Sequence, residues 1–265
     1  MDEHSSDEIR ALVRKEYGKV AREAEQENAT GCCGGFTPLA SLKLGYTQEE
    51  MASVPEGANM GLGCGNPQAI AALKPGETVL DLGSGGGFDC FLAAQQVGPN
   101  GRVIGVDMTP DMVSKARLNA QKRGAANVDF RLGEIEHLPV ADGCIDVILS
   151  NCVINLSPDK AAVFQDAFRV LKPGGRLAIS DVVKLKPLPE ALENDVAALT
   201  GCVSGAASVD TVERLLTEAG FTQVTVQVRG ESGEFIRDWL PDSKVEDFVS
   251  SATIEAVKPA VTSMG

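Results

Sequence analysis

The residues with the most distinctive chemistry in this 265-residue chain are its cysteines. There are seven of them and only two histidines, so a site that needs imidazole as base or ligand has little to draw on. They are Cys32, Cys33, Cys64, Cys90, Cys144, Cys152 and Cys202. Their odd number and the absence of C-x-x-C pairs disfavour a disulfide-stapled fold and a zinc ribbon. Thiols can instead serve as nucleophiles or as ligands of a soft acceptor.

Three of the cysteines lie in loops of small and polar residues. Cys64 is in GLGCGNP, Cys152 in SNCVINL and Cys202 in TGCVSGA. Small neighbours leave a thiol accessible, so we expect these three to be available for chemistry. Cys90, inside an apolar helical segment, and Cys144, in a turn before a strand, are more typical of small buried apolar side chains.

A glycine-rich loop, VLDLGSGGGFD at residues 79–89, follows the first predicted strand. Glycines there let a ligand approach the backbone closely. The loop lacks the third glycine of a dinucleotide fingerprint, because Phe88 stands at that position, and no Lys-Ser/Thr of a P-loop follows. Asp81, just before the loop, would repel a pyrophosphate but suits a ligand with an ammonium and a sulfonium group. S-adenosylmethionine carries both and no phosphate, so we expect it as the cofactor.

The elements that must position these groups alternate between strands and helices. Apolar runs predict strands at residues 78–82, 102–107, 128–132, 145–150, 176–182 and 224–228. Helices are predicted at residues 6–28, 48–53, 88–97, 110–123, 159–170 and 209–219. After residue 231 no element is predicted. The alternation is typical of an α/β fold with a mostly parallel sheet, which binds ligands beyond the carboxyl ends of its strands.

Four motifs in order resemble the class I methyltransferases. They are the loop after Asp81, Asp107 at the end of the second strand, Gly133-Glu134-Ile135 after the third, and the turn at residues 171–175. The resemblance implies an α/β Rossmann-like fold with a mostly parallel seven-stranded sheet and helices on both faces, an N-terminal helical and loop extension, and a small C-terminal annex.

The same resemblance implies a set of cofactor-binding residues. Asp81, Gly83 and Gly85 would hold the methionine moiety, and Asp107 the ribose. Glu134 and Ile135 would meet the adenine. Ser84, Met108 and Asn151 complete the predicted set.

The segment after the fourth strand departs from the amine-directed members of this family. Those carry a (D/N/S)-P-P-aromatic motif, whereas this chain has Asn151 and Cys152 and neither the prolines nor the aromatic residue. A thiol at the acceptor position favours a soft substrate. Trivalent arsenic takes three sulfur ligands and keeps a lone pair that can attack a methyl group, so it needs no general base.

The motifs GLGCGNP, SNCVINLSPDK, LKPGGRLAISDVV, GCVSGA and SATIEAVKPA resemble the arsenite methyltransferases. The resemblance implies that Cys152 and Cys202 bind arsenic(III) during transfer. It also implies that Cys64 and an N-terminal cysteine, Cys32 or Cys33 with Cys32 preferred, bind arsenic or form a disulfide. Arsenite or its thiol conjugates would be the substrate, and thioredoxin or glutathione the electron donor.

On this basis we expect three regions. Residues 1–67 would supply the N-terminal helix and cysteine-bearing loops, residues 68–183 the S-adenosylmethionine-binding core, and residues 184–265 the rest of the sheet and an arsenic-binding region. The net charge of −13 disfavours nucleic acid and anionic membranes as partners. The N-terminus has no apolar signal core, so we expect a cytoplasmic protein, and nothing demands more than a monomer.

Two other hypotheses fit part of the pattern. A C- or O-methyltransferase acting on a quinone or sterol shares the cofactor motifs but needs no cysteines. A non-catalytic, thiol-based arsenic binder needs the cysteines but has no use for Asp81 or Asp107.

Overall fold

The structure, a computed structural model, describes residues 5–23, 40–193 and 195–260. Its helices are α1 (Ser6–Glu23), α2 (Ala40–Lys43), α3 (Gln48–Ser53), α4 (Gln68–Ala71), α5 (Phe88–Val97), α6 (Pro110–Arg123), α7 (Lys160–Val170), α8 (Glu190–Glu193), α9 (Val196–Thr200), α10 (Val209–Glu218) and α11 (Gly233–Ile236). Its strands are β1 (Thr78–Leu82), β2 (Arg102–Asp107), β3 (Val128–Leu132), β4 (Ile145–Asn151), β5 (Leu171–Lys184), β6 (Ala207–Ser208), β7 (Thr222–Val228) and β8 (Val249–Val257).

One sheet runs through the fold in the order β3-β2-β1-β4-β5-β8-β7, and the two-residue β6 pairs with β5 beside it. The strands β1 to β5 are parallel, whereas β8 runs antiparallel to both β5 and β7. The predicted α/β fold with a mostly parallel sheet is confirmed. The described strands number eight rather than seven, because the short β6 adds to the seven on the main path.

The apolar runs of the central strands explain the position of the core. Along β1, Leu80 and Leu82 pack in one apolar cluster with α7 and α10, while Val79 packs in a second cluster with α5. A strand covered by helices on both faces reads as a continuous apolar run, as β1 and β4 do. An acid or a thiol at the carboxyl end of such a strand is therefore held at the rim of the sheet by its buried neighbours.

The strand β8 had no counterpart in the sequence prediction. It lies between β5 and β7 and is buried on both faces, so it shows no alternation of polar and apolar residues. Its buried Ser250 and Ser251 carry hydroxyls that find partners inside the protein, on Ser232 and on the carbonyl of Cys64. Serine hydroxyls can be buried when they have hydrogen-bond partners, so the sequence of an interior strand that contains them resembles that of a surface segment.

The start of β5 also differs from the prediction. The segment at residues 171–175 was expected to be a tight turn before the strand, but β5 already begins at Leu171. The register between β4 and β5 shifts between Ile145 and Val147, which accommodates Gly174 at a φ of +82°. The residues expected to form a turn are therefore part of β5 and lie at an irregularity in its pairing with β4.

The helix α1 matches the first 18 residues of its prediction, and the described part ends at Glu23. It packs against α6 and reaches over the carboxyl ends of the strands. Within the described ranges, no helix combines the length and apolar character needed to cross a membrane.

We predict that the Glu77–Arg176 pair stabilises the fold more than an exposed pair does. The Arg176 guanidinium donates to both oxygens of Glu77 at 2.7 and 3.0 Å. Burial opposes the charge on Glu77, but the hydrogen bonds from Arg176 and the backbone N–H of Lys74, together with the charge of Arg176, outweigh it and lower the pKa of that carboxyl. A lowered pKa stabilises the folded state above the unfolded-state pKa, and this stabilisation is lost as the pH falls through the folded-state pKa.

Accordingly, Glu77→Gln should lower the free energy of unfolding at pH 7 by about 1 kcal/mol in urea titrations, with a smaller difference at acid pH. The exposed Arg214–Glu218 pair on α10 provides the control. Glu218→Gln should change stability by no more than about 0.5 kcal/mol. Equal effects of the two variants at pH 7 would contradict the prediction.

Candidate active site

A large cavity opens at the carboxyl ends of β1, β2 and β4, underneath α1. It encloses about 1280 Å³, including its mouth. Its lining includes eight of the nine residues predicted to bind the cofactor, and two of the cysteines. These are Asp81, Gly83, Ser84, Gly85, Asp107, Met108, Ile135, Asn151, Cys152 and Cys202. The sheet topology thus brings together residues that are more than a hundred positions apart in the chain.

The ninth predicted residue, Glu134, has its side chain engaged elsewhere. Its carboxylate accepts a hydrogen bond from Arg14 at 3.3 Å and lies 3.4 Å from Nε of Arg10, both on α1. The cavity is instead lined by Glu136, whose Oε1 accepts hydrogen bonds from Ser157 at 2.8 Å and from Arg10 at 3.2 Å. The contact of Glu134 with adenine therefore stays a prediction, and α1 interacts with the acids beside that region.

Three buried carboxylates surround the cofactor side of the cavity. Asp81 accepts a hydrogen bond from the thiol of Cys90 at 3.2 Å, and Asp107 accepts from the backbone N–H groups of Gly85 and Thr109. Asp89, which the sequence prediction omitted, is the third. Burial raises the pKa of all three, and for Asp81 the charge of Asp89 raises it further.

Such a concentration of buried acids is relieved by a cationic ligand. The ammonium and sulfonium groups of S-adenosylmethionine fit this donor set, whereas a phosphate would not. The hydroxyl pair of a ribose suits Asp107, whose loop position is fixed by its two backbone hydrogen bonds. The residues present therefore fit the cofactor that the sequence predicts.

The glycine loop also packs closely against the side of the cavity formed by the loop after β4, which we call the acceptor side. Gly83 has a φ of +68°, and a Cβ atom at this position would lie only 2.4 Å from Cγ2 of Val153. Val153 directly follows Cys152, so the loop at the end of β1 packs against the loop at the end of β4. Gly83 thus has a packing role in addition to its predicted role in binding.

The three loop cysteines converge at the acceptor side. Cys152 follows β4 and donates its backbone N–H to the carbonyl of Ser180 on β5. Cys202 follows α9, and its Sγ donates to the carbonyl of Cys152 at 2.9 Å. The sulfur atoms of Cys152 and Cys64 lie within 4.8 Å of each other, and the hydrogen bond of Cys202 brings its sulfur to the same loop. The three sulfur atoms therefore form one group, which we call the cysteine cluster.

Two of these cysteines have an uncommon backbone conformation. Cys152 has a φ of +57° and Cys202 a φ of +64°, in the left-handed region that residues with a Cβ rarely adopt. Such conformations cost of order 1–3 kcal/mol each and persist where the surrounding structure enforces them. In this conformation the thiol of Cys202 reaches the carbonyl of Cys152 beside the cavity.

The expectation of accessible thiols is wrong for two of the three cysteines. Cys64 is 1% and Cys202 2% exposed, because both are covered by an apolar cluster that includes Ile236 and Trp239. Contact with Cys202 and Cys64, together with burial, raises the pKa of Cys152. For Cys202 the hydrogen bond with Cys152 lowers the pKa, but burial and the nearby Asp181 and Cys64 together outweigh it, and the net shift is upward. Cys152 and Cys202 are therefore neutral thiols near pH 7.

Cys64 reaches the cluster through the side chain of Asn151. Its backbone N–H donates to Oδ1 of Asn151 at 3.1 Å, while Nδ2 of Asn151 donates to the carbonyl of Gly65 at 2.9 Å. Nδ2 also donates to the hydroxyl of Tyr46 at 3.1 Å, which in turn donates to Asp89. Asn151 was predicted to bind the cofactor; it lines the cavity and also holds the Cys64 loop.

Asp181 is a neighbour of the cluster that the sequence prediction missed. One of its carboxylate oxygens and the sulfur atoms of Cys64 and Cys152 all lie within 4.8 Å of one another. Burial raises the pKa of Asp181 to about 6. The available signal was an acid within the apolar run of β5.

The remaining cysteines are placed as follows. Cys90 is buried, as expected, and its thiol is bonded to Asp81. Cys144 is half-buried and donates to the carbonyl of Ala141. Cys32 and Cys33, one of which was expected to be the fourth functional cysteine, lie outside the described residues.

The fold and the cavity define an S-adenosylmethionine-dependent methyltransferase, and the family model for a methyltransferase domain matches residues 73–220. The chain is 54% identical over 264 residues to an arsenite methyltransferase of Halobacterium salinarum, covering 96% of this chain and 68% of that relative. A second arsenite methyltransferase, from Aquipseudomonas alcaligenes, is 42% identical over 79% of this chain and 61% of its own length.

A solved structure of an arsenic(III) S-adenosylmethionine methyltransferase from Chlamydomonas reinhardtii superposes with a TM-score of 0.61 at 32% identity. The match covers 87% of this chain and 76% of that chain. The chain belongs to the arsenite methyltransferase family.

We predict that Asp107→Asn weakens the binding of S-adenosylmethionine by about tenfold or more. The amide removes a charge that the cofactor requires, and a hydrogen bond to a charged group contributes about 1.5–3 kcal/mol. Isothermal titration calorimetry measures the change. Asp129→Asn, on β3 and paired with Arg102 and Arg131, is the control and should bind the cofactor as the unmodified protein does. An unchanged affinity of Asp107→Asn would show that the ribose site is elsewhere.

Proposed function

We propose that this chain transfers a methyl group from S-adenosylmethionine to trivalent arsenic held by the thiols of Cys64, Cys152 and Cys202. The observation that supports this proposal most strongly is the cysteine cluster, which adjoins the cofactor cavity and contributes two of its members to the lining. The product would be a methylated arsenical.

The protonation state of the cluster suits arsenite as substrate. Arsenous acid is uncharged, and each thiol that forms an As–S bond gives its proton to a departing hydroxide, which leaves as water. The overall step consumes neutral thiols and neutral arsenous acid and needs no net proton acceptor. The raised pKa values of Cys152 and Cys202 therefore do not oppose binding.

The residues of the chain divide the remaining tasks between the two sides of the cavity. Asp81 and Asp107 hold the cofactor, which supplies an electrophilic methyl group when bound. The cysteine cluster holds arsenic with its lone pair free, so no side chain has to remove a proton from the acceptor. In agreement, the described lining residues include no histidine. The protein contributes by positioning the cofactor and the arsenic relative to each other and by excluding water from the cavity.

Methyl transfer raises the formal oxidation state of arsenic from +3 to +5, so two electrons must return it to the trivalent state. We propose a thiol donor of the thioredoxin or glutathione type, assisted by Cys32 or Cys33. A need for reduced thiols also favours the cytoplasm. The hypothesis of a non-catalytic arsenic binder leaves the buried acids of the cofactor side without a purpose.

We predict that Cys152→Ser and Cys202→Ser each reduce arsenite methylation by at least about a hundredfold, because a displaced acceptor loses that much rate. Cofactor affinity should persist in both variants. Cys144→Ser is the matched control, since this half-buried thiol lies outside the cavity lining, and it should methylate arsenite normally. Arsenic species are separated by chromatography and quantified by mass spectrometry. Full activity of both cluster variants would refute the proposed arsenic site.

A further inference from the structure

We propose that the carboxylate of Asp181 is a fourth donor of the cysteine cluster, and that Cys64, Cys152, Cys202 and Asp181 together bind a soft divalent cation such as Cd²⁺ or Zn²⁺ in competition with arsenite. The proposal rests on the proposed function, because the two ligands would share the three thiols. It adds a residue and a class of inhibitor to that site.

The pairing of β4 with β5 brings Asp181 to the cluster. Asn151, the last residue of β4, pairs with Ser180 on β5, so Cys152 and Asp181 each follow directly after this pair. The hydrogen bond from Cys64 to Asn151 then adds the second thiol. The donor atoms of Cys64, Cys152 and Asp181 lie within 4.8 Å of one another, whereas donors around a tetrahedral ion at a metal–sulfur distance of about 2.3 Å are about 3.8 Å apart. Closure of these three donors by about 1 Å, together with rotation of the Cys202 thiol away from the carbonyl of Cys152, would complete the site.

The carboxylate is held in place and retains a free lone pair. Its Oδ1 accepts hydrogen bonds from the backbone N–H of Val182 at 2.7 Å and from Nδ2 of Asn155 at 2.9 Å. Its Oδ2 accepts from the backbone N–H of Ile154 at 2.9 Å. A carboxylate has about four acceptor positions, so these three bonds leave one, on Oδ2.

The charge of the site also suits a cation. Coordination of the cation releases the thiol protons to solvent. The resulting three thiolates and one carboxylate carry four negative charges, and a divalent ion offsets two of them. Lys160 lies near these groups: burial lowers its pKa, and Asp181 and Cys202 oppose that shift. A hard ion such as Mg²⁺ or Ca²⁺ prefers oxygen ligands alone, whereas three sulfurs and one oxygen match Zn²⁺ and Cd²⁺.

The divalent cation and the arsenic substrate differ in the coordination geometry that they require. Trivalent arsenic uses three sulfur ligands, and its lone pair occupies the fourth direction. A divalent ion of the zinc group completes a tetrahedron with a fourth ligand. Asp181 therefore adds affinity for the cation and little for arsenic. The resulting inhibition is competitive with arsenite and leaves the affinity for S-adenosylmethionine unchanged.

The first test counts the ligands directly. In the full chain carrying Cys32→Ser, Cys33→Ser and Cys144→Ser, Cd²⁺ is titrated by its thiolate charge-transfer absorbance. X-ray absorption of the loaded protein should then give three sulfur neighbours and one oxygen per cadmium, at one cadmium per chain. Coordination by sulfur alone, or no binding at micromolar Cd²⁺, would overturn the proposal.

The second test uses Asp181→Asn, which keeps the size of the side chain. Cadmium affinity should fall about ten- to a hundredfold, while arsenite affinity stays within a factor of about two. Asp166→Asn, on α7 and bonded to Arg169 and the N–H of Leu138, is the matched control and should leave both unchanged. An equal loss of cadmium and arsenite binding would mean that Asp181 only shapes the loop, and the proposal would fail.

The affinity for S-adenosylmethionine reports whether Asp181→Asn is folded. If this variant does not fold, the ligand count in the unsubstituted site decides. Arsenite binding without cadmium binding overturns this inference and leaves the proposed function intact. If the protein with an unsubstituted Asp181 binds neither arsenite nor cadmium, the proposed function is overturned as well.

Discussion

The hydrogen bonds of the Asn151 carboxamide connect the parts of this site that come from distant segments. Oδ1 receives the N–H of Cys64, and Nδ2 reaches the carbonyl of Gly65 and the hydroxyl of Tyr46. Asn151 is also the last residue of β4, so it fixes the loop of Cys64 directly against the strand that precedes Cys152. A Cβ on Gly63 would come within 2.8 Å of this carboxamide, which shows how closely the loop approaches. The distance between the thiols depends on this contact.

The two sides of the cavity use burial for opposite purposes. On the cofactor side, burial of Asp81, Asp89 and Asp107 concentrates negative charge that a cationic ligand relieves. On the acceptor side, contact between the thiols and burial together keep Cys152 and Cys202 as neutral thiols. The left-handed backbone of Cys152 and Cys202 is a strained conformation that the surrounding structure enforces. The cofactor side is thus suited to a cationic ligand, and under the proposed function the other side holds a soft neutral acceptor.

Much of this arrangement was accessible from the sequence, because its signals are local. An acid before a glycine loop and an acid at the end of the next strand identify the cofactor side, and parallel-strand topology predicts that Cys152 and Cys202 meet at one rim. The burial of Cys64 and Cys202 was not predictable, since it depends on Trp239 and Ile236, which approach from a segment without a clear pattern. Asp181 was missed because its partners, Ile154 and Asn155, are on another element. The engagement of Glu134 by α1 likewise depends on a contact across more than a hundred residues.

The hydroxyl of Ser251 on β8 donates to the carbonyl of Cys64 at 2.7 Å, across 187 residues of chain. This bond gives the fold an order of assembly. During synthesis the loops of Cys64, Cys152 and Cys202 emerge before β8, the strand that secures Cys64 and must insert between β5 and β7. A nascent chain therefore exposes its thiols before they form a cluster, and under the proposed function only a chain with this strand in place would capture a trivalent metalloid with three sulfurs.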